Sequence, residues 1–265
     1  MKFKENFLMN YISNSPISLA LERAMECEIL SHQEFARPIL DIGCGDGLFA
    51  YNLFDEQIDT GIEPNTKELE RAKELNCYHE LINCNGDNIP KKDGIYNTVF
   101  SNSVLEHIEP LDPVLKEVHR LLSKNGYFYA TLPTNKFDQY TIVNQILIKI
   151  GLKSTARKYR SFFNNFWKHY QYYSPEEWGQ LFERIGFRVV ECVEYGPKKT
   201  CLVNDFFMPF SFCSLVTKKL FNRWILFPSW RKVYLFPLYY ISSKSLKKSI
   251  GVHNGGLVFF KLKKI

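Results

Sequence analysis

Short apolar runs alternate along residues 1–196 with longer stretches in which apolar positions return every three or four residues. Ile39-Leu40-Asp41-Ile42, Ile95-Tyr96-Asn97-Thr98-Val99-Phe100 and Tyr127-Phe128-Tyr129-Ala130-Thr131-Leu132 have the composition of strands buried on both faces. Between them, Ile17 to Phe35 repeats Leu19, Leu21, Met25, Ile29 and Leu30 on one side, and Pro113 to Leu122 has the same period. Ser15 is expected to cap the first of these helices, with Pro16 in its first turn. Further on, Ser174, Pro175 and Glu177 form a capping box that opens another helix, Gly186 stops it, and β-branched Phe187 to Val193 follows as a strand. Gly256 to Leu262 reads as a last strand. This alternation predicts an α/β domain built on a mostly parallel sheet.

The sharpest punctuation comes at the end of the first run. Asp41-Ile42-Gly43-Cys44-Gly45-Asp46-Gly47 sets glycines at alternate positions between a strand and a helix that starts at Leu48. Such a turn brings backbone against a ligand where a Cβ would collide, and the helix start aims free N–H groups at the same spot. The dinucleotide fingerprint G-x-G-x-x-G has its third glycine one residue later, which argues against an NAD or nucleotide-sugar enzyme on the same fold and for another nucleotide-like ligand. Thr60-Gly61-Ile62-Glu63 then ends a strand in an acid, at the distance from the glycines at which a carboxylate reaches a ribose.

Asp41 with Gly43, Gly45 and Gly47, the Gly86-Asp87-Asn88-Ile89-Pro90 segment, the Ser101-Asn102 to Leu105-Glu106-His107 junction, and Arg120-Leu121-Leu122 through Gly126 fall in one register over residues 39–133. Together they resemble the class I S-adenosylmethionine-dependent methyltransferases. The resemblance implies a Rossmann-like, doubly wound sheet of seven strands, mostly parallel, with an antiparallel last strand supplied by the pair at 187 and 257, and with lid insertions. It implies S-adenosylmethionine as cofactor: Asp41 at the methionine portion, the three glycines making room, Glu63 on the ribose hydroxyls, Asp87 and Asn88 at the adenine, Ser101 and Asn102 along the sulfonium end. His107 is the first candidate base and His169 the second, each weighed against a structural role. Quinone-biosynthesis O-methyltransferases with a similar junction carry a metal-binding glutamate where this chain has Ser103, so no metal is expected. In methyltransferases of this type the first helix often closes over the cofactor, which would point Arg23 and Glu26 into the site; the reading preferred is a solvated ion-paired face. The acceptor expected is a small molecule or a lipid-linked, saccharide-bearing one, methylated on oxygen. C-methylation of a quinone-like lipid, or cofactor binding without turnover, are the alternatives.

Composition narrows the setting. With 45% apolar and 23% charged residues the 265-residue chain is globular, and seven cysteines without a C-x-x-C pair read as reduced thiols, so neither a disulfide frame nor a zinc site is expected. The N-terminus lacks a signal-peptide core, and a cytoplasmic location is expected. The division expected is a helical cap at 1–36, a core at 37–196 with a helical insertion at 136–171, a basic aromatic lid at 197–250, and a final core strand at 251–265. Residues 197–265 carry thirteen Lys or Arg against one acid, Asp205, which leaves the +6 chain with −6 on residues 1–196. Phe206, Phe210, Phe221, Trp224, Trp230 and Tyr240 are among the aromatics mixed with that charge. Charges and Pro209, Pro228 and Pro237 are expected to interrupt any membrane span, so 197–250 is read either as a substrate lid or as a contact to an anionic membrane at its inner face. Nucleic acid is not expected, because the acidic first part repels a phosphate backbone.

Overall fold

In the computed structural model, which describes residues 1–265 with Ser245 by its backbone alone, the apolar runs pair into a single sheet. Its strands are β1 (Ile39–Ile42), β2 (Ile58–Ile62), β3 (Tyr78–Ile82), β4 (Tyr96–Asn102), β5 (Leu122–Pro133), β6 (Phe187–Tyr195) and β7 (Leu257–Lys264), ordered β3-β2-β1-β4-β5-β7-β6. Every pairing is parallel except those of β7, which runs antiparallel to both β5 and β6. The seven-stranded, mostly parallel sheet expected from the resemblance is therefore present. β3 has no clear run of its own: Tyr78-His79-Glu80-Leu81-Ile82 is an edge strand, half solvated, with His79 and Glu80 exposed.

Helices α1 (Phe7–Asn14) and α2 (Ile17–Ser31) precede the sheet, and α3 (Leu48–Leu53), α4 (Thr66–Leu75) and α5 (Asp112–Leu121) connect its parallel strands. Next come α6 (Ile142–Lys149) and α7 (Lys153–Trp167), then α8 (Pro175–Ile185), and then α9 (Lys198–Phe221), α10 (Pro228–Tyr234) and α11 (Phe236–Leu246) between the last two strands. Side chains alternate across each strand, so the sheet has a core on each face. Ile39, Phe100, Tyr129 and Phe259 pack toward α1 to α4, whereas Leu40, Val99, Phe128 and Phe260 pack toward α5 and α8. Trp178 on α8 is fully buried and its indole N–H donates to the Pro133 carbonyl at 3.1 Å, which fixes the end of β5 where the insertion departs. The capping box of Ser174 and Glu177 is formed as its residues predict.

Two local expectations fail. Ser15 does not cap α2; its hydroxyl donates back to the Tyr11 carbonyl, closing α1, a helix with no signal in the charge pattern. Pro209 does not interrupt the chain but sits inside α9, a continuous helix of 24 residues. By length and composition alone α9 is long and apolar enough to cross a membrane, the one such helix among the described residues.

Candidate active site

β1 delivers the glycine turn to the carboxyl end of the sheet, where the strand order reverses between β1 and β4 and leaves a crevice. A cleft of about 720 Å³ occupies it. Gly43, Gly45, Glu63, Asp87 and Asn102 line the cleft. The glycines divide their work. Gly45, at φ +54°, has nothing within 4 Å of where a Cβ would stand, so it alone leaves room for a ligand. At Gly43, φ +73°, a Cβ would come within 2.5 Å of Val104, so this glycine is required by packing. Gly47 stands against Ala72 of α4, outside the cleft lining. One carboxylate oxygen of Glu63 accepts from the Gly45 N–H at 3.1 Å and the other from Asn65 N–H at 2.8 Å, which holds the acid at the cleft wall. Asn102 faces the cleft with its carbonyl oxygen accepting from Thr131 at 2.9 Å.

Four further expectations need correction. Asp41 does not line the cleft. Strand alternation points it to the α2 and α4 side, where it is 3% exposed and accepts from the Tyr78 hydroxyl at 2.7 Å, and burial pushes its pKa up to about 7. Ser101 is likewise buried and donates to the Ile42 carbonyl. Asn88 is exposed and lies beyond the cleft lining, beside Asp87 which remains in it. Nor does α3 offer a free first N–H, because Leu48 N–H is taken by the Asp46 side chain.

Arg23 and Glu26 follow the inward-pointing alternative and not the preferred solvated face. Glu26 is fully buried, and Arg23 reaches from α2 into both cavities of the site. Its guanidinium binds Glu26 at 2.6 Å and the Ser103 hydroxyl at 2.6 Å, with Glu22 at 3.6 Å. Tyr195 of β6 donates to the other Glu26 oxygen at 2.9 Å. Burial works against the guanidinium charge, and Glu26 and Glu22 outweigh it. Burial pushes Glu22 up to about 7.

The Leu105–His107 turn separates the cleft from a second, more enclosed cavity of about 260 Å³. Arg23, Ser103 and His107 line both. Since the Lys168 carbonyl can only accept, the 3.1 Å contact from His107 Nδ1 makes that nitrogen the donor and leaves Nε2 as a free acceptor in the neutral ring. Desolvation of the ring lowers the His107 pKa below its ordinary value, although the side chain remains 40% exposed. Glu106 lies 3.7 Å from Nε2; burial pushes it up to about 8, and its Oε2 has no hydrogen-bond partner. His169 lines only the second cavity, its ring 5.1 Å from that of His107 and also against Phe137 and Phe163. Burial and His107 together push it down to about 4, which makes it a neutral wall.

Segment 218–224 closes one side of the cleft. Trp224 Nε1 donates to Asp46 at 2.6 Å, Lys218 reaches the same carboxylate at 3.2 Å and Glu68 at 2.9 Å, and Arg71 of α4 donates to Asn222. Trp224 and Asp46 carry no sequence signal for this role, since they meet across 178 positions. Among the described residues no group of three or more His, Cys, Asp or Glu side chains is placed to hold a metal ion.

The methyltransferase-domain family matches residues 19–192. Among curated relatives, the sterol 4-C-methyltransferase strm-1 of Caenorhabditis elegans is 28% identical over 44% of this chain and 38% of its own length. The malonyl-[acyl-carrier protein] O-methyltransferase of Legionella pneumophila is 27% identical over 42% of this chain and 45% of its own. The chain thus spans less than half the length of these relatives. A solved SAM-dependent methyltransferase of Thermotoga maritima, described as a possible histamine N-methyltransferase, superposes with a TM-score of 0.57 at 17% identity over 94% of this chain and 92% of that one, which shows the fold.

Proposed function

The chain belongs to the methyltransferase-domain family, enzymes that use S-adenosylmethionine, and from that premise we propose that it transfers a methyl group to an oxygen of a small-molecule or lipid-linked acceptor seated beside His107. The observation that carries this reading is the His107 ring itself: the Lys168 carbonyl sets its tautomer, which makes Nε2 the acceptor of the neutral ring, and the residue lines both cavities. The cleft residues suit the cofactor. Glu63 presents carboxylate oxygens to ribose hydroxyls, Asp87 an acceptor to an amino group, and Gly45 the open space that backbone contact needs. When bound, S-adenosylmethionine supplies an electrophilic methyl on a positively charged sulfur. The chain's own part is to hold the acceptor in line, to exclude water, and to take the hydroxyl proton on Nε2 as the new bond forms.

Calorimetric titration with S-adenosylhomocysteine tests the cofactor site without turnover. Binding is expected, and Glu63→Ala is expected to weaken it about 10–100-fold through the loss of charge-assisted hydrogen bonds. An unchanged affinity in that variant would sink the assignment of Glu63.

Segment 197–250 is proposed to touch an anionic membrane at the cytoplasmic face. What supports this is an inverted helix: α9 buries Cys201, Asn204, Ser211 and Ser214 against the domain and exposes Phe206, Phe210, Phe212, Leu220 and Phe221. A helix of an isolated soluble domain has the opposite arrangement. α10 and α11 add Trp230 at 78% and Ile241 at 69% exposure among lysines, the pairing of ring and cation that suits a headgroup layer. Co-sedimentation with vesicles containing phosphatidylserine is expected, falling with added salt and after Phe210→Ser with Trp230→Ser. Equal binding to neutral vesicles would remove the electrostatic part of the proposal.

A further inference from the structure

The second cavity has an uneven supply of hydrogen-bond partners. Its acceptors are open: Glu106 Oε2 and Asn204 Oδ1 are buried without partners, and His107 Nε2 is free when the ring is neutral. Several of its donors are already engaged. Arg23 is held by Glu26 and Ser103, Thr141 donates to the Asp138 carbonyl, and Tyr140 donates to the Asn254 carbonyl. A buried acceptor without a donor costs about 1–3 kcal/mol, so a fitting ligand brings hydroxyl or amino hydrogens with it. The walls between these acceptors are flat rings, Phe137, Phe163, Trp167 and His169. At about 260 Å³ the space is just below the range of drug-sized sites, about 300–1,000 Å³, and takes one ring rather than a long molecule.

We infer that this cavity takes one ring of a saccharide, with Asn204 accepting from one ring hydroxyl, Glu106 hydrogen-bonded to another, and a further hydroxyl turned to His107 for methylation. A sugar matches both halves of the lining: several O–H donors around its edge and C–H faces that pack on aromatic rings. In the reaction the acceptor O–H bond breaks and its proton passes to His107 Nε2. The oxygen bonds the methyl carbon, and the carbon–sulfur bond breaks with its electron pair left on sulfur, which becomes a neutral thioether. Glu106 acts here by binding, and burial, which favours its neutral form, suits a group that exchanges hydrogen bonds with hydroxyls. This inference rests on the methyltransferase reading and narrows its acceptor.

The full chain is incubated with S-adenosylmethionine and a panel of n-octyl glycosides of hexoses, 6-deoxyhexoses and uronic acids, with n-octanol and n-octylamine as controls. Products are read by mass spectrometry and cofactor turnover by S-adenosylhomocysteine release. Methylation of at least one glycoside and of neither control is expected. Glu106→Gln and Asn204→Ala, on separate elements, are each expected to lower kcat/KM for that glycoside about tenfold or more, with S-adenosylhomocysteine affinity within about twofold of the parent. Methylation of octylamine in place of a sugar, no glycoside product from protein that binds S-adenosylhomocysteine, or both variants matching the parent would overturn the saccharide assignment. Failure to bind S-adenosylhomocysteine would instead strike the cofactor reading on which it rests.

Discussion

Replacing His107 with Ala is expected to lower kcat by about 10²–10⁴-fold, the usual contribution of a positioned general base, while S-adenosylhomocysteine affinity stays within about twofold. The pH profile carries the sign. A base works unprotonated, and burial holds this ring below its ordinary value of 6.5, so kcat/KM for the parent rises with pH on the acid side with its midpoint below pH 6.5. In His107→Ala that acid limb disappears. His169→Ala, by contrast, is expected to raise KM more than it lowers kcat, since its ring packs beside His107 and its pKa of about 4 leaves it neutral throughout. Steady-state kinetics across pH 5–9 with both variants separates the roles. A parent-like kcat in His107→Ala means that the acceptor loses its proton elsewhere.

The second large effect is on stability. Arg23→Met removes the guanidinium that pairs with the buried Glu22 and Glu26. Breaking a buried pair from one side costs about 3–5 kcal/mol, and the 20% exposure of the arginine side chain sets the expectation at the lower end, about 3 kcal/mol. For a chain of this size that corresponds to a fall in Tm of about 6–12 °C. Adding Glu26→Gln to Arg23→Met is expected to restore part of the loss, because it removes the stranded charge. Urea melts of parent, single and double variants measure this directly, and a loss below about 1 kcal/mol would show that water can replace the guanidinium.

The contrast between Arg23 and Glu63 explains what can be read in advance. Glu63 sits at a strand end, a fixed number of residues from the glycine turn, and a strand of known direction carries it to the cleft. Arg23 lies on a helix whose polar positions look like any solvated face, and only the contacts of Arg23 with Ser103, 80 positions away, and of Glu26 with Tyr195, 169 positions away, put that face inside. Asp41 fails for a third reason. Its type and position fit the resemblance, but the twofold alternation of β1 aims it at Tyr78 rather than at the cleft. α9 likewise has a composition that suggests interruption, whereas a proline on a surface helix can be carried by a continuous turn.

The sequence by itself determined six of the seven strands, the glycine turn, the capping box of α8 and the strand-end position of Glu63, because each depends on period, cap or spacing within a few dozen residues. Only the tertiary structure decided that Gly45 and not Gly47 opens the cleft, that Arg23 pairs with the buried Glu22 and Glu26, that Trp224 latches onto Asp46, and that Glu106 and Asn204 share a cavity. Those facts depend on which faces meet across a long separation, and the chain encodes that in the packing of the whole domain rather than in any local pattern.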